Sequence, residues 1–353
     1  MTHRRWPAEW EPQSAIWLSW PHNRETWPGH FEGVPAAFAR FVRATAEVVP
    51  VQILVDPAAA GDAEKHVGGV VGVTLVECPT NDCWIRDYGP TFVIDSSDGD
   101  ESATDRSLSV VGIDWRYNAW GGKYPPWDRD AAAAERIVRS ARQRDPRIRR
   151  EESPLCCEGG ALETDGLGRL LTTPECLITE TRNPGWDQER IAHELHRRLG
   201  ITEILWIDGG GLEGDDTDGH VDQLARFVDE RNVVCAVCDD ASDPNHEPLE
   251  ANYRQLRIWG RQTDPEVEVH RLPIPEPRRI EGQRVPESYC NFLIVGGSRV
   301  IVPQFAQPAA DERAVAILTE LMPGMEIYPL EASELVWGLG AFHCASQQQP
   351  ARV

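Results

Sequence analysis

Five polar residues set the frame of this chain. Asp87, Glu158, His220, Asn291 and Cys344 follow one another at intervals of 71, 62, 71 and 53 residues, and each stands at or near the edge of a strand-like segment. A near-regular recurrence of this kind predicts a pseudo-repeat in which each unit sends one loop toward a common centre. Short apolar runs bounded by turn residues predict strands over 15–20, 51–55, 91–94, 169–173, 204–207, 232–237, 292–295 and 300–302. Apolar residues at three- and four-residue spacing predict helices over 36–48, 129–143, 188–199 and 311–321, the third closed by Gly200. The class is α/β or α+β. Without a composition break, one domain over residues 1–353 is the simpler reading.

Charge narrows the function. Fifty-seven acidic residues against 35 basic ones give a formal net charge of -22. Such a surface repels nucleic-acid phosphates and anionic membranes, and it suits a small cationic partner. Surface solvation alone would also account for the acidity, and the run from Asp95 to Asp105 reads as an exposed loop. No basic start followed by an apolar run opens the chain, and no apolar stretch is long enough to span a bilayer, so a cytoplasmic location is expected. Nine cysteines without an export signal point to reduced thiols rather than a disulfide framework.

Four segments could carry chemistry. Cys344 follows Gly338 and Gly340, which permit a tight backbone approach, and precedes the polar run Ser346-Gln347-Gln348-Gln349. Its thiol is either a small core group or a nucleophile, and a nucleophile needs positive charge nearby because a free thiol is protonated at neutral pH. In Asp215-Asp216-Thr217-Asp218-Gly219-His220-Val221-Asp222, an extended backbone would turn His220 and Asp222 to the same side. Scaffolding and calcium binding are the alternatives there, although the spacing departs from the twelve-residue calcium loop. Asp87 lies between Arg86 and the turn Gly89-Pro90, and pairing with Arg86 is its structural alternative. Glu158 precedes Gly159-Gly160, which would let the backbone close around a ligand or simply make a turn. Cys235 and Cys238 lie in a core-like strand with no second ligand pair at zinc-like spacing, and no metal or other cofactor is expected.

One thiol, one histidine and converging carboxylates suit a guanidinium, a flat cation that carboxylates bind through paired charge-assisted hydrogen bonds. The bound cation and a protonated His220 would favour the thiolate of Cys344. Attack on the guanidinium carbon, protonation of departing ammonia by His220, and hydrolysis of the resulting thioether would give a ureido compound.

The same segments resemble the agmatine deiminases and the bacterial peptidylarginine deiminases of the guanidino-modifying superfamily. The likeness runs through Pro7-Ala8-Glu9-Trp10-Glu11-Pro12, Trp84-Ile85-Arg86-Asp87-Tyr88-Gly89-Pro90, Asn118-Ala119-Trp120-Gly121-Gly122-Lys123-Tyr124, Glu158-Gly159-Gly160, Gly219-His220-Val221-Asp222, Ser288-Tyr289-Cys290-Asn291-Phe292, Val302-Pro303-Gln304-Phe305 and His343-Cys344. The resemblance implies a five-bladed α/β propeller whose successive blades supply the five landmarks. It also implies Cys344 as nucleophile, His220 as acid and base, and Asp87 and Asp222 as the guanidinium grip. Two departures, Ala341-Phe342 before the His-Cys pair and Ser346-Gln347-Gln348 after it, bear on the pocket wall rather than the chemistry.

Agmatine ends in an ammonium, which calls for an acidic distal pocket. The loop from Gly209 to Asp216 supplies acidic groups, and Glu213 or a neighbour is expected to meet the amine. Trp84, Trp120 and Glu158 complete the expected substrate contacts, with Trp120 stacking on the alkyl chain or the cation. A peptidylarginine deiminase and a non-catalytic polyamine-binding protein are the competing readings. A homo-oligomer is compatible with the chain, which does not fix the number of copies.

Overall fold

The structure, a computed structural model, describes residues 4–96 and 108–352. Most of the expected acidic loop from Asp95 to Asp105 lies outside the described residues. Asp95 itself is buried at the end of the strand Thr91–Asp95 and ion-paired with Arg4 and Arg149.

The fold is α/β. Among the described residues, one arrangement recurs five times: an antiparallel strand pair, a helix, and a further strand parallel to the second of the pair. Thr91–Asp95 pairs antiparallel with Ser109–Arg116, which pairs parallel with Ile148–Cys156 across the helix Ala133–Arg144. Glu163–Thr164, Arg169–Thr172 and Glu203–Trp206 do the same around Gln188–Leu199. Ala225–Asp229, Asn232–Val237 and Glu268–Pro273 follow around His246–Gly260, and Leu293–Val295, Arg299–Gln304 and Glu326–Glu331 around Pro308–Leu321. The fifth unit joins the two ends of the chain. Ser346–Pro350 pairs antiparallel with Gln13–Ser19, which runs parallel to Val51–Val55 across Val34–Ala46.

Local sequence explains these elements. In Gln188–Leu199 the side chains of Ile191, Leu195 and Leu199, four residues apart, form one fully buried stripe, each contributing about 1.5–3 kcal/mol by leaving water. Asp187 caps the helix by accepting from the Arg190 N–H at 2.9 Å, and Gly200 ends it at φ 71°. A Cβ on Gly200 would stand 2.0 Å from the carbonyl oxygen of Arg4, so both conformation and space demand glycine.

Three expectations are corrected. The helix expected over 129–143 is two, Asp128–Ala131 and Ala133–Arg144. At the first, the carboxylate of Asp130 turns back to accept from the N–H groups of Asn81 and Asp82. No helix is expected between 199 and 311, yet His246–Gly260 forms one, whose Leu249, Asn252, Leu256 and Trp259 face inward despite Pro248 in its first turn. His220 and Asp222 lie at a 3-10 turn, Val221–Gln223, rather than on a strand, so their common orientation comes from the turn and not from a pleat. Among the described residues, no helix is long and apolar enough to cross a membrane.

Candidate active site

Each of the five landmarks stands a few residues before the first strand of its own unit, at the same point of the repeat. Their neighbours are the short turns Ile85–Tyr88, Gly159–Ala161, Val221–Gln223 and Tyr289–Asn291, and the turn residues before Ser346–Pro350. Equivalent positions in repeated units therefore deliver unlike side chains to one place.

Cys344 is 5% exposed. Its Sγ lies 3.0 Å from Asn291 Nδ2 and 3.5 Å from Asp222 Oδ2. Asn291 also fixes the turn that carries the thiol: its Oδ1 accepts from the N–H groups of Ala341 and Cys344 at 3.1 and 3.2 Å. Burial and the carboxylates of Asp222 and Asp87 push the thiol's pKa well above its ordinary value, with the Asn291 amide acting against them. The sulfur thus holds its proton at neutral pH.

His220 is wholly buried. Nδ1 stands 3.6 Å from Asp87 Oδ1, and Nε2 stands 3.7 Å from Glu158 Oε2. Burial disfavours the charged ring, but the carboxylates of Asp87 and Glu158 and the Cys176 sulfur outweigh it, raising the pKa well above the usual histidine value. The resting imidazole is an acid.

The carboxylates differ in how they are held. Asp87 accepts from the Gly160 N–H at 3.0 Å and from Trp120 Nε1 at 2.9 Å, and burial raises its pKa to about 6 against the pull of His220. Arg86, the partner in the structural alternative for Asp87, turns elsewhere and donates from Nε to the carbonyl of His343, because adjacent residues of a helical turn point about 100° apart. Glu158 takes both oxygens to Arg182 Nε at 2.9 Å. Burial works against its charge, yet His220 and Arg182 hold its pKa down to about 2. In Asp222, Oδ2 accepts from His343 Nδ1 at 2.7 Å, whereas Oδ1 is buried with no partner among the described residues. Neither ring nitrogen of His220 has a hydrogen-bond partner among those residues either.

Gly160 shows how tightly these groups meet. A Cβ there would stand 2.6 Å from His220 Nδ1, 2.8 Å from Asp87 Oδ1 and 3.2 Å from Asp222 Oδ2. Gly340 does the same for the sulfur, since its Cβ would lie 3.0 Å from the Cβ of Cys344 and 2.7 Å from Trp84. Trp84 thus lies beside the turn that carries Cys344, and Trp120 hydrogen-bonds Asp87.

Outside this centre lies an open cavity of about 900 Å³, lined in part by Gly219 and Gly121, the sequence neighbours of His220 and Trp120. Its wall carries Glu175, Glu180, Glu213, Asp215 and Asp218 against the single lysine Lys123. Glu213 stands on this wall, but its two oxygens are already engaged by Arg279 at 2.8 Å and Arg284 at 3.1 Å. Asp215 instead has neutral donors, the hydroxyl of Thr217 and the N–H of Gly219. Donor atoms of Glu158, Cys176 and His220 lie within 4.8 Å of one another. Arg182 already sits on that glutamate, so the trio reads as an ion-paired cluster.

Several of these residues escaped the sequence reading. Arg182 and Cys176 lie in no motif segment. Asn291 was marked by spacing and by its motif segment but given no role, Arg86 was read only as a pairing partner for Asp87, and Glu9 and His343 lie inside motif segments that assigned them no role.

Nucleophilic chemistry on a bound cation is what such an enclosure is equipped for. The chain belongs to the Porphyromonas-type peptidyl-arginine deiminase family, whose model matches residues 5–350. It is 37% identical over 371 residues to the agmatine deiminase of Pseudomonas aeruginosa, covering 98% of this chain and 95% of that one. With the agmatine deiminase of Pseudomonas fluorescens it shares 35% over 367 residues, at the same coverage. Among solved structures, the agmatine deiminase of Enterococcus faecalis superposes with a TM-score of 0.86 at 29% identity, covering 99% of this chain and 97% of that one. An agmatine deiminase of C. jejuni with substrate bound gives 0.86 at 26%, covering 99% and 96%.

Proposed function

We propose that this protein hydrolyses the guanidinium group of agmatine to N-carbamoylputrescine and ammonia through a covalent intermediate on Cys344. The observation that carries this reading is the meeting of Cys344, His220, Asp87 and Asp222 around Gly160 and Asn291, with Asp222 Oδ1 and both His220 nitrogens lacking hydrogen-bond partners among the described residues. A flat cation supplies N–H donors to carboxylates and positive charge to the thiol, which otherwise stays protonated.

The steps follow from the resting charges. The arriving guanidinium lies between Asp87 and Asp222, with Trp84 and Trp120 as walls, and its charge lets the thiol proton pass to solvent water. Cys344 Sγ bonds to the guanidinium carbon, giving a tetrahedral adduct. His220, protonated at rest, gives its proton to the departing nitrogen, the C–N bond breaks and ammonia leaves. Now neutral, His220 takes a proton from water as the oxygen adds to the amidino thioether carbon. The C–S bond then breaks as the adduct's hydroxyl proton passes to the departing sulfur, restoring the thiol and releasing the ureido product. Glu158, fixed by Arg182, holds His220 in place.

The acidic cavity suits the distal ammonium. Glu213 or a neighbour meets it, and of the two, Asp215 has the less compensated charge. The five ββαβ units with equivalent landmarks support a five-bladed propeller forming one domain, and the free cysteines fit the cytoplasm. The test compares wild type with Cys344→Ser on agmatine, arginine and an arginine-containing peptide, measuring ammonia and ureido product. Turnover of agmatine by wild type alone supports the reading. Preference for the peptide, or ammonia release by the serine variant, refutes it.

A further inference from the structure

Beyond Asp222 the buried charges continue. Glu9 Oε2 stands 3.0 Å from Arg226 Nη2, 3.0 Å from His343 Nε2 and 3.6 Å from Arg86 Nη2. Arg226 also donates to Glu163 at 3.0 Å and to the carbonyls of Cys290 and Phe292. Glu9, Arg86, Asp222, Arg226 and His343 are each at most 6% exposed. Through this cluster the first segment of the chain, which carries Glu9, is tied to the residue preceding the thiol.

His343 is the link. Both of its ring nitrogens face carboxylates, Nδ1 toward Asp222 Oδ2 at 2.7 Å and Nε2 toward Glu9 Oε2 at 3.0 Å. Burial and the guanidinium groups of Arg226 and Arg86 set its pKa below the usual histidine value, against the pull of the two carboxylates, and its protons follow from the distances instead. Burial likewise disfavours the charge on Glu9 and Asp222, but Arg226 and His343 overcome it and keep both below the ordinary carboxylate range. Two ionised carboxylates at hydrogen-bond distance each require a donor, so the geometry calls for N–H on both sides of the ring.

We propose that His343, clamped between Glu9 and Asp222, is a positioning residue: by occupying Asp222 Oδ2 it keeps that carboxylate charged and leaves Oδ1 for a guanidinium N–H. The inference rests on the deiminase reading above. An unclamped Asp222 would be free to rotate toward the sulfur 3.5 Å away and to take up a proton. Either change weakens the grip at the carboxylate itself, with Cys344 and His220 both still present.

Two variants separate the two sides of the ring. Asparagine places an amide nitrogen near the position of Nδ1, and glutamine near that of Nε2. His343→Asn thus retains a donor for Asp222, while His343→Gln retains only the one for Glu9. With agmatine as substrate, His343→Gln should lose about 100-fold in kcat/KM, as is usual when a supporting hydrogen bond to a key ligand is removed. Its acid limb should move to higher pH as Asp222 enters the titration. His343→Asn should stay within about tenfold of wild type with the limb in place. Glu9→Gln, which keeps an acceptor but removes the charge, should shift the limb upward by less, and it serves as the readout if His343→Gln does not fold. Equal losses in the two His343 variants, or acid limbs that stay at the wild-type position, overturn the proposal. A wild type that releases no ammonia from agmatine refutes the deiminase reading instead.

Discussion

Replacing Gly160 with alanine adds one methyl group at the point where the reactive groups converge. The backbone itself accepts alanine, since Gly160 is not among the residues with positive φ. The methyl, however, would stand 2.6 Å from His220 Nδ1 and 2.8 Å from Asp87 Oδ1. Ordinary carbon contacts begin near 3.5 Å, so these groups must retreat by roughly 0.7–1 Å. His220 is enclosed by Asp87, Glu158 and Cys176, and Asp87 is tied to Trp120, so neither can move without breaking another contact. Displacement of this size costs about 100-fold in rate where reacting groups must be aligned. The added volume costs about 1–3 kcal/mol in stability. Steady-state ammonia release from agmatine should show kcat/KM lowered by at least about two orders of magnitude, with a cooperative thermal unfolding transition retained a few degrees lower. A Gly160→Ala variant within a few-fold of wild type would refute the packing on which the site rests.

Three further outcomes follow. Arg182→Met removes the nearer of the two cations beside buried Glu158, leaving only His220, so unfolding in urea should report a loss of about 3–5 kcal/mol; a change below about 1 kcal/mol would contradict the pairing. Asp87 has its pKa raised to about 6, so kcat/KM for agmatine should rise with pH through about 6 as the grip becomes charged, and Asp87→Asn should remove the activity. Because the folded group holds a proton that the unfolded chain has already lost, Asp87 also subtracts stability as pH rises from its ordinary value toward 6. At the cavity wall, Asp215→Asn should raise KM for agmatine by about tenfold or more and Glu213→Gln by less, since arginines already compensate Glu213; the reverse order would assign the amine to Glu213.

Much of the frame was legible in the sequence, for a physical reason. A repeated ββαβ unit keeps its turns in step, so polar residues at Asp87, Glu158, His220, Asn291 and Cys344 recur at similar intervals. Strands such as Val51–Val55 and Asn232–Val237 are buried throughout or nearly so, and they read as plain apolar runs. The helix His246–Gly260 was hidden by Pro248 and by Asn252, a polar residue on its inner face that bonds the backbone of Gly209 and Gly210. Partnerships were less legible than positions. Arg182 reaches Glu158 across 24 residues and Glu9 reaches His343 across 334, and a sequence marks such residues as charged without saying that they are buried or with whom. Glu213 shows the converse: its place beside the cavity followed from the acidic loop, but Arg279 and Arg284, which take its charge, lie in a later segment.

The central claim is that the sulfur of Cys344 and the imidazole of His220 act on one cation held between Asp87 and Asp222. Intact-protein mass spectrometry after acid quenching of enzyme turning over agmatine tests it most directly. A species heavier by one agmatine less one ammonia, located at Cys344 by peptide mapping and missing from Cys344→Ser, is the predicted result. Ammonia release at full rate with no such adduct, or with the mass on another residue, would contradict it.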